Sequence, residues 1–152
     1  MTRMDSILKT ELTNVMDDCD RIDYTPDADP GVRRLRDTCR MELGHFLLYI
    51  ADGKAFPTSE QAQLISSVWS GVHPSVTHFE LKKIMDELSF PTVSENETLA
   101  AFIKAGKADR LIRLYDIYGG FMVSLGMNAP GEGRYRLYMD RMRKRASAGI
   151  TE

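Results

Sequence analysis

In CRMELGHFLLYIADG, residues 39–53, apolar side chains recur at helical spacing and then become continuous from Phe46 to Ile50. A helix that is apolar on every side has to be surrounded by other elements. The segment therefore predicts a central helix from Pro30 to about Ala51, with the rest of the fold built around it. Val32, Leu35, Cys39, Leu43, Phe46, Leu47 and Ile50 form its main stripe, and Arg33, Arg34, Arg36 and Arg40 lie mostly off it. Asp52-Gly53 ends the helix, KAFP makes a loop, and TSEQAQLISSVWS starts a new helix at Thr58 or Ser59. Hydroxyl caps with Glu60 and Gln61 just behind them have the form of a capping box.

The same periodicity predicts the remaining elements. A first helix runs from about Asp5 to Ile22 on Met4, Ile7, Leu8, Leu12, Val15, Met16 and Cys19. A fourth starts at Ser75 and stops at Phe90-Pro91. Ser94-Glu95-Asn96-Glu97 opens a fifth, which Gly106 ends. A sixth runs from Ala108 to about Leu125. Residues 128–133 form a turn, and a seventh helix runs from Arg134 to about Ala146. Gly119-Gly120 inside the sixth costs ~1 kcal/mol per glycine relative to alanine, so a close helix crossing or a kink is expected there. No stretch alternates as a strand does. The expectation is an all-α fold: a compact single-domain bundle of about seven helices over residues 1–152. Residues 23–31 form an acidic, proline-containing linker between the first and second helices, and 147–152 a disordered tail.

Some chemistries lack their residues. There is no G-x-S-x-G, P-loop, G-x-G-x-x-G or H-E-x-x-H sequence. His45, His73 and His78 have no close Cys or Asp spacing for a zinc site, and His45 fits a buried, hydrogen-bonded role. Cys19 and Cys39 fall on or near apolar helix sides, which suits buried thiols. The chain is expected to have no catalytic residues and no tightly held organic cofactor. No apolar run nears the ~20 residues of a membrane helix. MTRMDSILKTEL is charged from the start and has no apolar signal centre, which points to a cytoplasmic protein.

The net charge of -2 hides an uneven distribution. Residues 1–29 hold eight carboxylates against three cations, and residues 130–152 six cations against three carboxylates. Opposite ends of this kind can attract each other within a chain or between two copies. In RYRLYMDRMRKRASA, Tyr135, Tyr138, Met139 and Met142 interleave with Arg134, Arg136, Arg143 and Lys144. These eight residues are the candidate interaction surface, because aromatic residues, Met and Arg are enriched at interfaces. The expected partner is another protein or a second copy. A nucleic-acid role for the basic helix is the alternative, set back by the acidic overall balance. The Asp-rich stretch from Asp17 to Pro30 reads as an acidic helix end and a solvated linker.

The Asp52 turn carries the remaining candidate. Asp52 and Glu60 flank a tight helix–helix connection, where carboxylate and carbonyl oxygens could hold a divalent cation weakly. Turn and cap chemistry accounts for the same residues. The run LGHFLLYIADGKAFPTSEQAQLI resembles the signature of the tellurite-resistance TerB-like family at Ala51, Asp52, Gly53, Ser59 and Glu60. That resemblance implies an all-helical cytoplasmic domain, associated with stress responses and proposed to bind divalent metal through acidic side chains. Where the family carries a second acidic turn, this chain has AGKAD, residues 105–109.

Overall fold

The computed structural model describes residues 3–22, 34–51, 59–69, 92–126 and 129–150. Among these the protein is all-helical: α1 (Arg3–Arg21), α2 (Leu35–Ala51), α3 (Ser59–Val68), α4 (Glu97–Lys104), α5 (Ala108–Gly126) and α6 (Ala129–Ile150). A short 3-10 turn, Val93–Glu95, precedes α4. No strand occurs among the described residues. The linker at 23–31, the Asp52-Gly53 turn and the helix expected from Ser75 to Phe90 lie outside them.

The continuous apolar run of α2 places that helix at the centre. It packs against each of the other five described helices. Leu43, Leu47 and Leu48 have no exposed surface, and Phe46 and Ile50 almost none. The first-helix stripe folds as its spacing demands, with Leu8, Leu12, Val15, Met16 and Cys19 buried, but Ile7 stays exposed. In α5, Leu111, Ile112, Leu114, Tyr115, Tyr118 and Met122 are core residues.

Element ends follow local chemistry. Asn96, rather than Ser94, caps α4: its side chain accepts from Leu99 N at 2.8 Å. A cap-and-acid pair forms one turn earlier, where Thr92 N donates to Glu95 Oε2. Gly106 ends α4 with φ at 74°. Gly106 N donates to Ile103 O and Lys107 N to Phe102 O, the paired bonds of a Schellman motif.

Two boundaries differ from expectation at the C-terminal end. The predicted turn at 128–133 is helical from Ala129, and α6 continues to Ile150 through part of the predicted tail. Pro130 explains the first, since proline fits the first turn of a helix, where no N–H partner is needed. Gly131 and Gly133 sit in that turn as tolerated costs.

Gly119 marks the expected close crossing. A β-carbon at 119 would stand 2.6 Å from Tyr135 Cδ1 and 3.0 Å from Phe46 Cζ, so α6 and α2 both approach α5 there.

Candidate functional site

The last helix has an inner and an outer side. On the inner side, Tyr138, Met139 and Met142 are core residues. The interaction face expected of them is therefore turned inward, because α6 supplies one wall of the core. Tyr138 lies 4.8 Å from Phe46, ring to ring, and stacks on Tyr115 at 6.1 Å. Asn96 Nδ2 donates to both phenol oxygens, at 3.0 Å to Tyr115 and 3.3 Å to Tyr138. One buried amide thus caps α4 and ties α5 to α6. Burial pushes the Tyr138 phenol up to about 12 and holds Tyr115 well above the ordinary phenol range.

Arg134 is also occupied by the fold. Its Nε donates to Tyr49 O at 2.6 Å and its Nη2 to Ile50 O at 3.2 Å. These are carbonyls of the last turn of α2, and a cation suits the negative end of that helix. The guanidinium also lies 5.8 Å from the Tyr49 ring centre. Arg145 does the equivalent for the 3-10 turn, donating to Val93 O and Asn96 O. Sequence spacing cannot separate these two arginines from their solvent-facing neighbours, because their acceptors are backbone oxygens far along the chain.

The edge between α5 and α6 holds a cleft of about 400 Å³ lined by Asp116, Tyr135, Arg136, Met139, Asp140 and Arg143. Tyr135 Oη donates to the Asp116 carboxylate. Partial burial, followed by this bond, raises the Tyr135 phenol to about 12. Arg143 reaches Asp116 Oδ2 at 3.8 Å, and Arg136 pairs with Glu132 at 2.7 Å.

The outer side of α6 presents Arg136, Leu137, Asp140, Arg141, Arg143 and Lys144 to solvent. Leu137 is 44% exposed. Lys144 pairs with Asp140 at 3.0 Å along the helix. Of the eight candidate interaction residues, Arg136, Arg143 and Lys144 are exposed, Tyr135 and Arg134 are half-buried, and the other three are core. Leu137 and Arg141 were not among them. An exposed leucine at i, with cations at i+4 and i+7, was the signal that would have found them.

Three carboxylates of the acidic end are paired within the chain. In α1, Asp18 pairs with Arg110 at 2.7 Å and Lys107 at 3.5 Å, and Glu11 pairs with Arg113. Asp20 pairs with Arg34 and Arg36 at the entrance to α2. Glu11, Asp18 and Asp20 of α1 are thus met by cations outside the C-terminal helix.

Of the two metal candidates, Glu60 is exposed in the first turn of α3 and Asp52 lies outside the described residues. Among the described residues no cluster of three or more His, Cys, Asp or Glu side chains is placed to hold a metal ion. No described helix is long and apolar enough to cross a membrane. Comparison with family models, with curated proteins and with solved structures finds no match to this chain.

Proposed function

We propose that the chain is a non-enzymatic, cytoplasmic protein-interaction module that docks an acidic, partly apolar segment of a partner on the outer side of α6. The observation that carries this reading is Leu137, exposed where Tyr135, Tyr138, Met139 and Met142 of the same helix are at least half-buried, with Arg141 and Lys144 beside it. An apolar anchor supplies affinity, and surrounding cations steer an acidic partner and select against a basic one. The stress-associated setting is the one that the TerB-like resemblance implies.

The inward-turned tyrosines favour a protein partner over a nucleic acid. Base stacking needs open aromatic faces, whereas Tyr138 is core and Tyr135 holds Asp116. The test uses a labelled helical peptide of glutamates and leucines, its lysine-for-glutamate counterpart and a short DNA duplex. Fluorescence anisotropy should show the acidic peptide binding the parent and losing at least about tenfold in affinity to Leu137→Ser and to Arg141→Glu with Lys144→Glu. Unchanged affinity in both variants would remove the face from the reading. Tighter binding of DNA than of peptide would replace the reading with the nucleic-acid one.

A further inference from the structure

The ion pair across the α5–α6 cleft stands open. Asp116 Oδ2 and Arg143 Nη2 are 3.8 Å apart, too far for a hydrogen bond. Asp116 Oδ1 is engaged, because it accepts from the Tyr135 hydroxyl, and that bond holds the carboxylate at the cleft. Oδ2 and the Arg143 guanidinium are left facing each other across a gap. Their side chains are 44% and 54% exposed, so the pair is worth little in water and separates at little cost.

The rest of the charged lining is balanced in the same way. Arg136 pairs with Glu132, and Asp140 with Lys144, each along the exposed side of α6. The cleft of about 400 Å³ therefore carries two guanidiniums and two carboxylates and no net charge. An anion placed there meets Asp116 and Asp140, and a cation meets Arg136 and Arg143. A ligand with both charges, held apart, pairs at each end and is repelled at neither. We propose that this cleft binds a dipeptide zwitterion, its ammonium on Asp116 and its carboxylate on Arg143.

Insertion replaces one long contact by two close, charge-assisted bonds. The long Arg143 side chain, more than half exposed, swings outward to admit the ligand, while the Tyr135 bond keeps Asp116 in place. An extended dipeptide is about 7 Å long, and the seven residues from Arg136 to Arg143 span about 10 Å of α6. The ligand thus lies within the lining. The half-buried Tyr135 ring offers apolar surface to one of its side chains. Both charged ends stay close to water, which sets the affinity at a dissociation constant on the order of 1 mM. The site is separate from the Leu137, Arg141 and Lys144 surface, so either can fail without the other.

The experiment titrates the isotope-labelled full chain at neutral pH with glycylleucine, its N-acetyl form, its C-terminal amide and free leucine, and follows backbone amide resonances. Glycylleucine should give saturable shifts centred on Asp116, Tyr135 and Arg143, and the other three ligands should bind at least about fivefold more weakly. Asp116→Asn should weaken glycylleucine by at least about fivefold without weakening the N-acetyl form, and Arg143→Gln should do the same without weakening the amide. Leu137→Ser should leave all four affinities unchanged. No saturable shift at millimolar glycylleucine, equal binding of its three forms, or shifts centred elsewhere would overturn the proposal. Free leucine binding as tightly as glycylleucine would overturn the dipeptide assignment, and loss of binding in Leu137→Ser would overturn the location.

Discussion

The indole of Trp69 lies on Gly44: a β-carbon there would stand 1.9 Å from Nε1 and 2.3 Å from Cε2. Trp69 is a buried residue just past α3, and its Nε1 donates to Met41 O. A glycine in the middle of α2 is thus the recess that lets α3 approach the central helix. Gly44→Ala gains helix propensity but forces the ring to move, and overpacking of a tight core costs about 1–3 kcal/mol. Urea denaturation should show a net loss near the upper end of that range. A variant as stable as the parent would mean that the ring relocates freely.

Gly119 and Gly120 are neighbours with opposite expectations. At 119 a β-carbon meets Tyr135 Cδ1 at 2.6 Å, whereas at 120 the nearest atom is Tyr135 Oη at 3.6 Å, an ordinary contact. Gly120→Ala should therefore stabilise the protein by up to ~1 kcal/mol, the helix-interior cost of glycine. Gly119→Ala should destabilise it and loosen the Tyr135–Asp116 contact. Equal Tm changes in the two variants would remove the crossing argument.

Glu42 gives a pH-dependent prediction. Its carboxylate accepts from Glu97 N at 2.8 Å and Thr98 N at 3.0 Å, and from the Thr98 hydroxyl, so it caps α4 from a distant helix. Burial outweighs those bonds and raises its pKa from 4.5. A folded-state pKa above the unfolded one means the folded protein binds the proton more tightly. The associated stability is complete below the unfolded pKa and is lost as pH rises through the folded one. The parent's stability minus that of Glu42→Gln should fall with rising pH from about 4.5 upward, then level off. Melts across that range would refute the sign if the difference grew.

The buried phenols predict alkaline unfolding. Tyr118 and Tyr138 are raised to about 12 by burial, and Tyr115 well above its usual range by the same cause. Their contribution is intact below pH 10, the ordinary phenol value, and is lost as pH climbs from 10 towards 12. Phenolate absorbance followed alongside circular dichroism should rise late, together with loss of helix. Phenolate formation complete near pH 10 in a still-helical protein would contradict the burial of these rings.

Much of the helix content was legible in the chain. The Phe46–Ile50 run alone predicts a central α2, because a segment without a polar side has nowhere else to go. Gly106 and the Gly119 crossing were legible for similar reasons: each is a local cost that needs a stated compensation. The start of α6 was missed because Ala129, Pro130, Gly131 and Gly133 look like a turn by composition. Only the surrounding helices make the helical conformation favourable there.

The candidate surface was half legible. Composition marked the last helix as cationic and rich in Tyr and Met, and Arg136, Arg143 and Lys144 do face solvent. Which of its side chains turn inward was decided by packing. Phe46, Tyr115 and Asn96 come from three separate segments, and together they claim Tyr138 for the core. The carbonyls at the end of α2 claim Arg134. The meeting of Gly44 and Trp69 has the same origin. Spacing along a helix determines which residues share a side, but which element lies opposite that side is a long-range property that only the tertiary structure decides.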